Sequence, residues 1–222
     1  MRPERAVLFD LDGTFADTAP DLAAAVNRMR ADQGLEPLPI ARVRPFASAG
    51  ARGLVHAGLG IKPGDAEYAA ARATFLELYA ERTCVDTRLF PGIRELLDAL
   101  EKRDISWGIV TNKALRFTER IVVALELRPA CVVCGDSTPH LKPHPAPLLL
   151  AAEQLQLAPA SCVYLGDDLR DIQAARAAGM RPIAVDWGYH HPDQGEPGTW
   201  QADAVIAQPL DLIGHLQAHV RK

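Results

Sequence analysis

The chain has 222 residues, 48% of them apolar, and 24 Lys and Arg against 28 Asp and Glu give a formal net charge of −4. This is ordinary globular composition, long enough for one large domain or a core with a smaller insert, and it excludes a minimal scaffold stapled by disulfides or metal. No run approaches the ~20 apolar residues of a membrane span, the opening MRPERAVLFDLDG lacks a signal-peptide apolar region, and no Lys/Arg block offers a footprint for nucleic acid or an anionic membrane. The expectation is a cytoplasmic protein, monomer or homodimer, that binds a small molecule and has no nucleic-acid or membrane partner.

Ala6–Asp10 (AVLFD) reads as the first strand, a short run of β-formers ending on a polar residue. From about Asp17 to Asp86 no strand pattern recurs. Leu22, Val26 and Met29 mark one helix there, and Tyr68, Ala71, Phe75 and Leu78 another. Residues 17–86 therefore read as a small helical domain inserted into a core of 1–16 and 87–222, with boundaries in Asp17–Pro20 and Thr83–Phe90. Gly58, Gly60 and Gly64 miss a dinucleotide-binding spacing, follow no strand and read as turns. Beyond the insert, strands and helices alternate. Pro91 opens a helix with Ile93, Leu96, Leu97 and Leu100 on one face, followed by the strand Ser106–Thr111. A helix seam of Phe117, Ile121 and Leu125 leads to the strand Cys131–Asp136. A seam of Leu148, Leu149, Ala152 and Leu155 leads to Cys162–Asp167, after which come Arg181–Trp187 and Ala202–Ile206. Near-continuous apolar strands alternating with amphipathic helices predict a doubly wound α/β fold: a parallel sheet covered on both faces, with the active site beyond the carboxyl ends of its strands.

Polar chemistry collects at those ends. Asp10 and Asp12 leave the first strand two residues apart and on the same side, which suits a divalent metal with a nucleophile or an acid/base pair, and equally suits a helix cap and turn. Gly13 permits a close turn around an anion, and Thr14 offers a hydroxyl and an N–H. Thr111, Asn112 and Lys113 supply donors for phosphate oxygens or cap the next helix. Lys142 follows the third strand, between His140 and His144, where a solvated lysine is the ordinary outcome. Asp167, Asp168 and Asp171 end the fourth strand, and three carboxylates so close repel unless a cation joins them; capping and an ion pair with Arg170 account for one of the three.

The ordered set D-x-D-G-T, Thr111, Lys142-Pro143 and G-D-D-x-x-D resembles the four motifs of the haloacid dehalogenase superfamily of phosphotransferases, over the whole chain. The resemblance implies an α/β core with a helical cap. It also implies a magnesium ion held by Asp10, the backbone carbonyl of Asp12 and Asp167. In it Asp10 is the nucleophile that becomes an aspartyl-phosphate and Asp12 the general acid/base, while Thr111 and Lys142 bind phosphoryl oxygens and Asp168 and Asp171 orient water on the metal. Dehalogenases of the superfamily lack the second aspartate of the first motif, so Asp12 points to phosphoryl transfer. The segments DLDGTFADTAPDL, VTNK, KPHPAPLL and YLGDDLRDIQAARAAGM are similar to phosphoglycolate phosphatases. SAGARGLV, WGIVTNKALRF, GDDLRDI and GYHHPD, followed by Trp-x-Ala-Asp, are similar to N-acetylmuramic acid 6-phosphate phosphatases. Phe15 and His144 depart from the usual residues at their positions. A phosphosugar mutase on the same core and a catalytically inactive binding protein are the alternatives, the latter disfavoured because no acid of the set is missing.

Outside the motifs, Ser48–Gly53 reads as a small-residue turn in which Arg52 either presents a guanidinium fork to a substrate carboxylate or opens a cap helix facing solvent. His190 and His191, in the Gly/Pro-rich loop Gly188–Trp200, read as exposed loop residues in preference to a second metal site. Of the four cysteines, Cys131, Cys134 and Cys162 lie in apolar runs and read as reduced core thiols, and Cys84 falls outside them.

Overall fold

β1 (Ala6–Phe9) is buried along its whole length, as an unbroken apolar run requires, and its side chains alternate between two cores. Val7 and Phe9 join one cluster with Leu96, Leu100 and Leu212; Ala6 and Leu8 join another with Leu148, Ala151 and Ala174. The computed structural model describes residues 5–217; residues 1–4 and 218–222, which the sequence reading assigns to the core, lie outside the described residues. After β1 come β2 (Ala16–Asp17) and the helices α1 (Ala19–Asp32), α2 (Ile40–Val43), α3 (Gly50–Leu59) and α4 (Tyr68–Glu81), with a 3₁₀ segment at Arg44–Ala49 before α3. The chain continues through β3 (Arg88–Leu89), α5 (Ile93–Glu101), β4 (Ser106–Val110), α6 (Leu115–Ala124), β5 (Cys131–Val133) and α7 (Ala146–Leu155). It ends with β6 (Cys162–Gly166), α8 (Leu169–Ala177), β7 (Arg181–Val185), β8 (Ala204–Ile206) and α9 (Asp211–Gln217).

Six strands form one parallel sheet in the order β5-β4-β1-β6-β7-β8, so the predicted doubly wound architecture is what the chain adopts. Phe9 lies level with Ile109 of β4 and Leu165 of β6, and the Asp10 N–H donates to the Leu165 carbonyl at 2.9 Å. This register brings Asp10, Thr111 and Asp167 off neighbouring strands at one edge, beside the point where the strand order reverses. α5 buries Ile93, Leu96, Leu97 and Leu100 as its spacing predicts, each worth about 1.5–3 kcal/mol of apolar burial.

Three expectations need correction. β5 stops at Val133, three residues early, because the Gly135 N–H bonds the Lys113 carbonyl at 2.8 Å and pulls the chain off the sheet and over the end of β4. β8 likewise starts at Ala204, two residues late. In α7 the buried seam is Leu148, Ala151 and Ala152, the true i, i+3, i+4 set, and Leu149 is exposed.

Between β2 and β3 every regular element of the described residues is helical. β2 and β3 pair antiparallel, Ala16 with Leu89 and Asp17 with Arg88, at the neck where the chain leaves and re-enters the sheet. Buried Asp21, in the first turn of α1, accepts from the N–H groups of Asp86 and Thr87 and from the Thr87 hydroxyl, tying both ends of the insert together. Leu22, Val26, Met29, Leu54, Val55, Phe75 and Tyr79 form a cluster that also takes in Phe117 and Tyr189. Gly58 is not the turn the sequence suggested. It lies inside α3, where a Cβ would sit 2.3 Å from a Val26 methyl, so its missing side chain lets α1 and α3 close together. Gly60 and Gly64 do take the left-handed backbone of turns.

Candidate active site

Asp10 follows β1, Asp167 follows β6, and Asp171 occupies the first turn of α8; all three are buried, and one carboxylate oxygen from each lies within 4.8 Å of the others. One cation faces them. The Lys142 Nζ donates to Asp10 Oδ1 at 2.7 Å, pairs with Asp171 Oδ1 at 2.8 Å and donates to the Tyr164 hydroxyl at 2.7 Å, which in turn donates a hydrogen bond to the Val110 carbonyl. Burial, reinforced by the charges of Asp10 and Asp171, lifts Asp167 well above the carboxylate range. Burial also pushes Asp171 up to about 7, with Lys142 working against it and Asp10 adding repulsion. Against its own burial, Lys142 is held above the usual lysine range by those two aspartates. Three buried acids and one ammonium leave excess negative charge, which costs several kcal/mol unless a cation joins it. An all-carboxylate, hard-oxygen donor set fits magnesium or a similar divalent ion.

Asp167 is aimed by three donors: the Thr14 hydroxyl at 2.8 Å, the Tyr189 N–H at 2.9 Å and the Ser48 hydroxyl at 3.2 Å. Gly13, at φ +93°, leaves room for it, since a Cβ there would lie 2.2 Å from Asp167 Oδ2. The Thr14 hydroxyl, expected at the substrate, donates to Asp167 in the structure. Asn112 departs in the same way: its side-chain amide bonds the backbone N–H and carbonyl of Lys142 at 2.9 and 3.0 Å, fixing the segment that carries the lysine. Lys113 too is committed, with its Nζ 2.9 and 3.1 Å from the Asp12 carboxylate and seated over the Tyr79 ring at 4.8 Å. The Thr18 hydroxyl donates to the same carboxylate. Asp12 is therefore held beside the buried trio without belonging to it.

Asp168 turns out to be the acid explained by capping. It accepts the Arg170 N–H at 2.9 Å and the Arg170 guanidinium at 2.8 and 2.7 Å, while Asp171 accepts the Asp168 N–H at 3.2 Å to complete a capping box. Despite its burial, Asp168 is held below the ordinary carboxylate range by Arg170. The same guanidinium donates to the Ser48 carbonyl at 2.8 Å, so the insert is docked on the strand edge.

A cavity of about 670 Å³ opens over this edge, lined among others by Asp10, Asp12, Thr111, Lys142, Arg52 and Arg72. Arg52 stands in the first turn of α3, exposed, so the expected loop is a helix start, although the residue does line the cavity. A larger groove of about 980 Å³ lies at the start of β4, around Arg94, Trp107 and Arg128, away from the acidic group. His190, His191 and Trp200 do not line the active-site cavity. Trp200 is buried against Ile172 and Ala184, His190 packs edge-on to it, and His191 packs against Phe46, so the two histidines are half-buried packing residues and not exposed ones. The four cysteines are free thiols; burial pushes Cys131 up to about 12 and Cys162 up to about 11, which leaves no reactive thiolate. Sequence reasoning missed Ser48, Tyr164, Tyr189 and Arg72. The one available signal was that a tyrosine in a fully buried strand needs a partner for its hydroxyl.

A model of the family described as haloacid dehalogenase-like hydrolase matches residues 7–185. The chain belongs to this family. An N-acetylmuramic acid 6-phosphate phosphatase of Pseudomonas aeruginosa is 45% identical to this haloacid dehalogenase-like hydrolase over 211 residues, covering 94% of this chain and 93% of its own. A phosphoglycolate phosphatase of Xanthomonas campestris is 43% identical over 217 residues, 96% of each chain. The crystal structure of a predicted phosphoglycolate phosphatase from Haemophilus somnus superposes with a TM-score of 0.82 at 26% identity, covering 96% of this chain and 98% of the other. The relatives of this hydrolase are thus phosphatases over nearly its full length. No helix among the described residues is long and apolar enough to cross a membrane.

Proposed function

We propose that the protein is a magnesium-dependent phosphatase that hydrolyses a small phosphomonoester, 2-phosphoglycolate or N-acetylmuramic acid 6-phosphate, through an aspartyl-phosphate on Asp10. The observation that carries the reading is the buried group Asp10, Asp167 and Asp171, balanced by one lysine and opening into a cavity at the carboxyl edge of the sheet. Asp10, Asp167 and the Asp12 backbone carbonyl would hold magnesium, which when bound neutralises the acids and the phosphoryl group and stabilises charge in transfer. Lys142 holds one Asp10 oxygen, orienting the carboxylate for attack on phosphorus, and with Thr111 neutralises phosphoryl oxygens.

Attack by Asp10 forms the acyl-phosphate bond as the ester P–O bond breaks, and Asp12 gives its proton to the leaving alkoxide. Asp12 then takes a proton from water, whose attack releases phosphate and restores the Asp10 carboxylate. Lys113 and Thr18 hold Asp12 in place for both transfers. Residues 17–86 serve as the cap and 1–16 with 87–222 as the catalytic core, the cap closing over the site and excluding bulk water while the hydrolytic water is held beside Asp12. Four free thiols suit a reducing cytoplasm.

The test is phosphate release from a panel holding 2-phosphoglycolate, N-acetylmuramic acid 6-phosphate and hexose phosphates, with magnesium and after chelation. Release that requires magnesium supports the reading, and full activity after exhaustive chelation overturns it. Product analysis with a hexose 1-phosphate separates hydrolysis from a mutase.

A further inference from the structure

We propose that Arg52 and Arg72, carried by two different helices of the insert, form a second anion subsite that takes the carboxylate of a phosphorylated sugar acid whose phosphate sits at Asp10. The proposal rests on the phosphatase reading and names its substrate class. It starts from the charges that line the cavity. Asp10 and Asp171 are paired with Lys142, Asp12 with Lys113, and Asp168 with Arg170. Arg52 on α3 and Arg72 on α4 line the same cavity, and neither has a hydrogen-bond or ion-pair partner among the described residues. Two exposed guanidiniums lining one cavity whose acids are already paired leave positive charge that an anionic ligand would neutralise, and a planar fork suits a carboxylate.

The phosphoryl end of the ligand belongs at the strand edge, beside Lys142, whereas both arginines come from the insert. A ligand touching both must span the cavity from core to insert. The cavity keeps its ~670 Å³ with the insert docked by the Ser48–Asp167 and Arg170–Ser48 bonds, a size that suits drug-sized ligands (about 300–1,000 Å³). A two-carbon acid would fill little of that space. A hexose phosphate bearing an acidic ether substituent on the far side of the ring supplies both the bulk and a second charge.

The experiment compares kcat/KM for N-acetylmuramic acid 6-phosphate and N-acetylglucosamine 6-phosphate, the same sugar without the lactyl ether that bears the carboxylate. It uses the wild type and the variants Arg52→Gln, Arg72→Gln and Arg72→Lys. The wild type is expected to favour the acid. Each Gln variant should lower the acid-to-neutral ratio roughly ten- to a hundredfold, the loss of a hydrogen-bonded charge, and Arg72→Lys should recover part of it. A ratio unmoved by either Gln variant overturns the subsite, as do equal losses on both sugars, which would assign the arginines to phosphate binding or to folding of the insert. If the wild type ignores both sugars yet hydrolyses another phosphomonoester, the subsite assignment falls and the phosphatase reading stands. If no phosphomonoester is hydrolysed, both fall.

Discussion

Burial lifts Asp167 and Asp171 above the ordinary carboxylate range in the metal-free protein, so each gives up its proton at higher pH in the native state than in the unfolded chain. Both are lifted from an ordinary value of 3.8, Asp171 to about 7, mainly by burial and then by neighbouring charge. Between those values the native state binds more protons than the unfolded one, so their contribution to stability is present at low pH and lost as pH rises toward 7. A divalent cation takes over the role of the protons. The chelated wild type should therefore lose stability relative to Asp167→Asn as pH rises from about 5 to about 8, read as a falling difference in Tm. Magnesium should restore the wild type most at the upper end and leave Asp167→Asn unmoved. A Tm difference constant with pH in scanning calorimetry would show that the acids are not protonated in the metal-free protein.

At the scale of elements, the N-terminus of α8 and the 3₁₀ segment Arg44–Ala49 meet through one side chain, Arg170, which grips Asp168 and the Ser48 carbonyl at once. Arg170→Ala leaves the α8 cap in place, because Asp168 keeps its backbone donor, but it removes one of the two bonds that dock Ser48 on the strand edge. The expected result is faster amide exchange over residues 44–49 with β1 and β6 unchanged, and turnover lowered about fivefold as water enters the site, for roughly 1 kcal/mol of lost contact. Unchanged exchange over 44–49 would remove Arg170 from the docking of the insert. The strands were legible because each is a compact β-forming run ending on a polar residue. β5 overran because Cys134 continues the apolar pattern, while the cause of its ending, the Gly135 N–H bonding to Lys113, lies on another loop. In α7 three consecutive leucines made Leu149 as plausible a seam residue as Ala151, and only the packing distinguishes them.

Over the whole molecule, the acids were readable because three carboxylates crowded at one strand end repel unless a cation joins them, more than one cap can explain, and a parallel sheet must bring its carboxyl ends together. Their partners were not. Thr14 meets Asp167 across 153 positions and Tyr189 lies 22 positions beyond it, and the register that pairs them is set by β1 against β6 and by the loop after β7. A hydroxyl or amide at a strand end is equally suited to substrate or to scaffold until the fold supplies a neighbour, which is why the bonds of Thr14 to Asp167 and of Asn112 to Lys142 were not legible. The central claim is that this converging edge places a phosphoryl group on Asp10. It is tested most directly by phosphate release from N-acetylmuramic acid 6-phosphate and 2-phosphoglycolate with magnesium, comparing wild type with Asp10→Asn of matched Tm. The wild type should release phosphate from at least one of them, and Asp10→Asn should lose several orders of magnitude of that rate, since an amide cannot serve as the nucleophile. Comparable release by the folded Asp10→Asn protein would contradict the account.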